Sequence, residues 1–533
     1  MGLCDVSTLG KIELFGPDCA EFLNRIYSNK FLKLPLHKAR YGLMLREDGF
    51  ILDDGTTSRL GEQHYLMTTT TGAAGQVMSH LEWCHQVLWP ELQVRFVSVS
   101  DQWAQMAVAG PRSRELLQQV VNADLSEQAL PFLAARDVSL TNGLRARLFR
   151  ISFSGELAYE LAVPADHGNQ IATWLMDLGK PLGITAYGTE AMGVMRIEKG
   201  FVTHAEIDGR VTPADLGMSA LTPADKNYIG KRLLERSALQ AADRPQLVGL
   251  IGAPGEPPLR SGAHLLSEGQ APSMANDQGH VSSTCFSPTL GRPIALALLR
   301  NGRARHGERI TVWDGLGDTI AQATVVDPDT MLAARDSLAP PAAAHNGANG
   351  AAELKSMPAS TRQPTVAAGP MEPGATTDLW IDIAPPQPCT LTLTGDWSAR
   401  LEPTAPTPAW PANARPFLPG QVLYLGDAEP ARAPALISVD QSHARCVLTV
   451  SGPAAVDLLA CGTGVDLTGM AIGPAGCCAT QLDAIAVILT RLGADSFELI
   501  VSRSYAQALI SMLMLWSQPW MTPAGSAAPH NAQ

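Results

Sequence analysis

The stretch Lys11 to Ile26, KIELFGPDCAEFLNRI, reads as an apolar strand, a Gly-Pro turn and a short helix. Glycine permits the tight turn, and proline suits the first helical position, where its missing N–H costs nothing. Phe22 and Leu23 then dock the helix on a sheet. The pattern recurs at Gly110-Pro111 with Leu116 and Leu117, and at Gly452-Pro453 with Leu458 and Leu459. Three related subdomains are therefore expected. The first and third copies extend further, through TTSRLGEQHYLMTTTTGAAGQVMSHL (residues 56–81) and ILTRLGADSFELIVSRSYAQALISML (residues 488–513). Both place an Arg-Leu-Gly hairpin turn, at Arg59–Gly61 and Arg491–Gly493, so the C-terminal part reads as a distant copy of the N-terminal subdomain.

Outward from these copies, residues 246–326 carry short apolar or alternating runs (LVGLIG, PIALALL, RITVWD, ATVV) between Gly, Pro and Asp, the spacing of a small β-barrel. SMLMLWSQPW, residues 511–520, ends a helix. From about residue 336 to 377 alanine, proline, glycine and small polar residues leave almost nothing to bury, which reads as a flexible linker. The fold class expected is α+β, and 533 residues predict three or more domains.

Composition narrows the function. A net charge of -12 excludes a protein that works by neutralising phosphate backbones, so no nucleic-acid partner is expected, although a local basic pocket for a small anion is compatible with it. Nine cysteines without a CxxC pair argue against structural zinc and a disulfide framework, and Cys446 beside Val447 and Leu448 reads as a buried thiol. No run approaches the ~18 apolar residues of a membrane span. The expected setting is cytoplasmic, with no membrane contact. His37, His64, His80, His85, His204, His264 and His280 lack metal-ligand spacing. No Walker loop and no Gly-x-Ser-x-Gly elbow occurs. Trp83, Cys84 and His85 fall in an amphipathic helix and read as core packing.

Three stretches carry candidate chemistry. In ARYGLMLREDGFILDDGTTSRL (residues 39–60), Glu47-Asp48-Gly49 is a hairpin turn between apolar strands, and alternation places Asp53 and Asp54 on opposite faces. One acid would point inward beside Tyr41 and Met44, the other to solvent or a cap; both as plain turn residues is the alternative. In FSGELAYEL (residues 153–161) a strand follows the Ser-Gly turn, and Glu156 and Glu160 share a face because their separation is even. A buried carboxylate there suits a ligand with paired N–H donors, such as an aminopyrimidine; a solvated pair at a sheet edge is the alternative. AYGTEAMGVMRIEKG (residues 186–200) reads as a helix capped by Thr189, packed through Met192, Met195 and Ile197, and closed by Gly200. Its Arg196 either clamps a ligand carboxylate or pairs with Glu198 or a surface acid.

Taken in order, GLCDVSTLGKIELFG, Tyr41 with MLREDGFILDD, SGELAYE, MRIEKG, PADLGM and CFSPTLGRPIALA resemble the glycine-cleavage T-protein (aminomethyltransferase) family. They resemble still more closely the folate-binding C-terminal half of the alpha subunit of heterotetrameric sarcosine oxidase, over about residues 1–330. Residues of about 378–520 resemble its gamma subunit more faintly. The resemblance implies a folate-binding region at 1–240, its β-barrel at 241–335, a linker at 336–377, a gamma-like α+β domain at 378–520 and a tail at 521–533. It implies tetrahydrofolate as cofactor, Asp53 as catalytic carboxylate, Tyr41 lining the pterin pocket, Glu160 gripping the pterin amino group with Glu156 as the lesser candidate, and Arg196 as a cationic folate contact. Capture of formaldehyde or a methylene-iminium needs a proton removed from an amine and a cation stabilised, and a fixed carboxylate does both.

The implied function is a folate-binding subunit that passes the carbon released from an N-methyl amine to tetrahydrofolate, giving 5,10-methylene-tetrahydrofolate. Its implied partners are a flavin-bearing beta-type subunit and other subunits of a hetero-oligomer. A stand-alone aminomethyltransferase acting on a lipoyl carrier and a non-catalytic folate-binding scaffold are the alternatives. No GxGxxG fingerprint occurs, so flavin and NAD are expected only on partner chains. Aligned through the Arg-Leu-Gly turns, Asp53 and Asp54 fall opposite Ile485 and Ala486, so the C-terminal copy is expected not to catalyse.

Overall fold

A computed structural model of the chain describes residues 1–253, 256–317, 319–332, 380–383, 389–394, 413–418, 421–426 and 436–517. The linker and the tail expected at 336–377 and 521–533 lie outside them. The chain forms two compact units, residues 1–100 with 104–344, and 101–103 with 345–533. No helix among the described residues is long and apolar enough to cross a membrane.

The first unit holds two sheets and a barrel. One sheet runs Ala39–Leu45, Ile51–Gly61, His64–Thr69, Gly10–Phe15, Arg95–Ser98 in spatial order. The other repeats that plan as Ala135–Ser139, Arg145–Phe149, Ala158–Pro164, Trp103–Ala109, Gly2–Asp5, with Thr185–Ala186 added at its edge. In the second unit Cys477–Leu482, Ile485–Gly493, Ser496–Ser502, Arg445–Ser451 and Trp380–Ile383 lie in the same order, beside a separate four-stranded sheet. In each five-strand set the third strand feeds a helix: Ala74–Trp83, Gly168–Gly179 and Arg503–Ser517.

The Gly-Pro turn sets each of these units. Gly16, Gly110 and Gly452 have φ of 133°, 119° and 119°, a region that side chains avoid. The glycine N–H donates to the chain beyond the neighbouring hairpin or strand start, to Gln63 O at 3.0 Å, Leu157 O at 2.8 Å and Asp495 O at 2.9 Å. Its carbonyl accepts from Cys19, Ser113 and Ala455, so each proline is the second residue of a β-turn, where its locked φ is preorganised. This corrects the expected first helical position: the helices begin two residues after each proline, at Cys19, Ser113 and Ala455. The docking pairs behave as read, with Phe22, Leu23, Leu116, Leu117, Leu458 and Leu459 all buried in their cores.

Residues 245–326 close into a six-stranded barrel in the order Pro245–Gly252, Arg292–Arg300, Gly279–Ser287, His264–Ser267, Arg309–Asp314, Thr319–Val326. The two sheets of the first unit are joined by a buried ion pair, Arg147 Nη1 to Glu13 Oε1 at 2.5 Å, with His64 Nε2 at 3.1 Å from the other oxygen. Burial alone would raise the Glu13 pKa, but His64 and Arg147 outweigh it and hold the carboxyl below its usual range. Three local readings shift. Cys446 is half-buried rather than buried, Trp83 is 42% exposed, and Met192 and Met195 are only partly covered.

Candidate functional site

Asp53 owes its place to the hairpin before it. Asp48 closes the turn by accepting the Phe50 N–H at 3.1 Å, and Gly49 takes a φ of 93°. The register then shifts between Met44 and Leu45, setting Asp53 opposite Met44 and Asp54 opposite Leu43. Alternation sends the two carboxylates to opposite faces. Asp53 is buried, and Thr70 takes both its oxygens: the Thr70 hydroxyl donates to Oδ1 at 2.8 Å and the Thr70 N–H to Oδ2 at 3.3 Å. Burial pushes its pKa up to about 6; the Thr70 bonds pull it back and the Asp54 charge pushes it further.

Tyr41 donates its hydroxyl to Asp54 Oδ2 at 2.8 Å. The tyrosine thus partners the second acid, where the sequence reading had set it beside the inward one. Asp54 is half-buried, and its pKa is raised by burial against the lowering pull of Tyr41. Burial and the neighbouring Asp54 charge likewise raise Tyr41, so its proton stays on the ring. Tyr27, wholly buried, senses both acids and accepts the Thr57 hydroxyl at 3.2 Å. Lys226 is buried nearby, donating to the carbonyls of Tyr27 and Ser28, and burial pushes its pKa down to about 7.

Glu160 lies inside the strand Ala158–Pro164 and is buried, receiving the Gln105 side-chain amide on Oε2. Burial raises its pKa, while Gln105 and the Lys11 charge oppose the rise. Glu156 does not share its face by alternation, because it precedes the strand, in a loop turned at Gly155 with a φ of 75°. The two acid sites are tied by the segment around Val6–Leu9. Thr71 donates to the Thr8 hydroxyl at 3.2 Å, the Gln105 N–H donates to Ser7 Oγ at 2.9 Å, and Lys11 Nζ reaches the carbonyls of Ser7 and Leu9 at 2.8 and 3.0 Å.

Among the described residues, Arg196 pairs with neither Glu198 nor a surface acid. Its Nη1 pairs with the buried Glu206 Oε2 at 2.9 Å and donates to Phe201 O, and its Nη2 donates to Ser283 Oγ at 2.6 Å. A bulge between Val281 and Ser283 turns both Ser282 and Ser283 onto Glu206 Oε1, at 2.7 and 2.6 Å. Glu198 meets Ser287 Oγ at 2.5 Å. The helix Thr189–Glu198, preceded by Gly188 rather than Thr189 as its cap, is therefore fastened to the barrel through its charged residues.

Thr70, Gln105, Lys11 and Glu206 went unnoticed in the sequence. The run of four threonines at 68–71, spanning the end of the strand His64–Thr69 and the turn after it, was the one available signal.

This geometry joins a folded pair of acid-bearing sheets to a barrel, and the comparisons agree with it. Residues 1–226 match the GCVT N-terminal domain and residues 246–330 the glycine cleavage T-protein C-terminal barrel domain. The chain belongs to the glycine-cleavage T-protein family. Among its relatives, the sarcosine oxidase subunit alpha of Rhizobium meliloti (strain 1021) is 58% identical over 329 residues, covering 61% of this chain and 33% of the relative. That of Corynebacterium sp. (strain U-96) is 46% identical over 340 residues, covering 62% and 35%. An aminomethyltransferase of Streptomyces coelicolor is 32% identical over 311 residues, covering 57% of this chain and 80% of its own length. The chain thus spans about a third of the sarcosine oxidase alpha subunits it matches. The crystal structure of glycine cleavage system aminomethyltransferase T from Bartonella henselae shares the fold, with a TM-score of 0.53 at 22% identity over 62% of this chain and 85% of that one.

Two substitutions test the site physically. Because the folded-state pKa of Asp53 lies above its ordinary 3.8, ionisation costs the fold nothing below about pH 4 and its full penalty above about pH 6. Asp53→Asn, which can keep both Thr70 contacts, is expected to match wild type in urea unfolding near pH 4 and to be more stable by on the order of 1–3 kcal/mol at pH 7.5. Arg196→Met leaves Glu206 buried and unpaired, and is expected to lose about 3–5 kcal/mol in the same measurement.

Proposed function

We propose that this chain is the folate-binding part of a sarcosine oxidase-like N-methyl amine oxidase, and that it passes the released one-carbon unit to tetrahydrofolate, giving 5,10-methylene-tetrahydrofolate. The observation that carries the reading is the buried Asp53 held on both oxygens by Thr70, with Tyr41 on the adjoining acid. The donor chemistry fits a reduced folate. Glu160 and Gln105 present acceptors that a ring edge rich in N–H groups would satisfy, and Gln105 Oε1 is buried with no partner among the described residues. When bound, tetrahydrofolate supplies two amine nitrogens that accept a one-carbon unit.

The residues divide the work. Asp53, with its pKa near 6, is mostly ionised at neutral pH yet basic enough to take a proton from an amine. Its negative charge also stabilises a cation developing beside it, in a setting where water cannot screen it. The Thr70 bonds fix the carboxylate rotamer, so the charge needs no reorganisation during reaction. Tyr41 keeps Asp54 hydrogen-bonded on the other strand face. Glu160 and Gln105 orient the ring. Glu156 stays a candidate at the loop before that strand, and Arg196 stays the candidate cationic folate contact, held in place by Glu206 and Ser283. Flavin and NAD belong, in this reading, to partner subunits, and the second unit is a gamma-like domain of the same assembly. High identity to two sarcosine oxidase alpha subunits supports this over a stand-alone aminomethyltransferase.

The test is formation of 5,10-methylene-tetrahydrofolate by the complex purified from its native source, with and without Asp53→Asn. The variant is expected to lose about 10²–10⁴-fold in the one-carbon step while amine oxidation persists. In wild type the step should fall as pH drops below about 6, where Asp53 takes up its proton. Equal product formation by the two proteins would contradict the assignment of Asp53, and absence of both a flavoprotein partner and folate would contradict the whole reading.

A further inference from the structure

Gln105 sits in the centre of the second sheet, on the strand Trp103–Ala109, and is 1% exposed. Burying a glutamine is costly unless both ends of its amide are satisfied. Only one end is. Nε2 donates to Glu160 Oε2, whereas Oε1 is buried and accepts nothing among the described residues. An orphaned acceptor of this kind costs about 1–3 kcal/mol, so a packing role alone would be better filled by leucine or methionine. Turning the amide over offers no relief, because it would only move the unpartnered position from Oε1 to Nε2.

The Glu160 carboxylate faces the same chemistry. It is buried in the neighbouring strand, which raises its pKa, while the Gln105 amide and the Lys11 charge, fastened by Ser7 and Leu9, oppose the rise. Glu160 and Gln105 therefore form a side-by-side pair of acceptors, with the Gln105 N–H fixing how the carboxylate is turned. The complement of such a pair is a planar edge with adjacent N–H donors. In a 2-aminopteridine that edge is the exocyclic amino group and the ring N–H next to it.

Resting on the tetrahydrofolate reading above, we propose that Gln105 is a specificity-determining residue: its Oε1 accepts from the 2-amino group of the pteridine while its Nε2 holds Glu160 against the adjoining N–H. Gln105 thus separates 2-aminopteridines from rings of the same shape that lack the amino group. A site that hydrogen-bonds a substrate group discriminates far better against its absence than one that relies on fit, because the missing partner leaves buried groups unpaired.

The experiment is calorimetric titration of the full chain with tetrahydrofolate and with its 2-desamino-2-methyl analogue, for wild type and Gln105→Met. Wild type is expected to prefer tetrahydrofolate by about 10-fold or more, and the variant to lose about 10-fold in affinity for tetrahydrofolate while its affinity for the analogue moves by less than about 3-fold. Equal weakening of both ligands, or no change in either, would overturn the proposal by reducing Gln105 to a structural residue. Wild type that binds neither ligand would overturn the folate reading and the inference with it. If Gln105→Met does not fold, Gln105→Asn, which keeps the amide but withdraws it by one methylene, carries the same comparison with the same two outcomes.

Discussion

The grip of Thr70 on Asp53 is the constraint around which the first sheet is arranged. A carboxylate taken out of water would simply keep its proton, because burial penalises the charged form. Thr70 offers it a hydroxyl and a backbone N–H, and the balance leaves a pKa near 6. That balance demands that the strand His64–Thr69 end beside the middle of Ile51–Gly61. The strand is held in turn by Gly10, where a Cβ would stand 2.1 Å from Thr69 Oγ1, so only glycine lets the two chains approach. Asp53 is thus kept charged by contacts that depend on the register of three strands.

The second unit isolates what that arrangement adds. It repeats the strand order, the Gly-Pro turn, the Arg-Leu-Gly hairpin and the register shift within it, between Arg491 and Gly493 as between Arg59 and Gly61. Yet Ile485 and Ala486 begin the strand where the first unit has its acids. The hairpin and the sheet therefore form without a carboxylate at that position. An unneeded buried acid would only weaken the first sheet, which supports the role proposed for Asp53.

What was legible in the sequence was local. Gly-Pro turns, paired apolar residues and the 47–49 hairpin are written in adjacent residues, and each forms as expected apart from the placement of the prolines. The barrel could be read because Gly, Pro and Asp punctuate its strands, although HLLS at 264–267 and GHVSSTCFS at 279–287 were missed. The acid partners could not be read. Thr70 lies 17 residues from Asp53, Gln105 lies 55 from Glu160 and Ser283 lies 87 from Arg196, and no periodicity links them. The Arg196 partner was equally hidden, because a helical arginine among apolar residues looks the same whether or not a buried glutamate meets it. Glu156 misled because alternation holds only inside a strand, and the strand starts at Ala158.

The most direct test of the account is a crystal structure of the protein with a reduced folate bound. The account predicts the reactive amine nitrogens within hydrogen-bonding reach of the Asp53 carboxylate and the amino edge of the ring on Glu160 and Gln105. A folate seated elsewhere on the chain, with Asp53 still sealed against Thr70 and no ligand atom near it, would contradict the central claim.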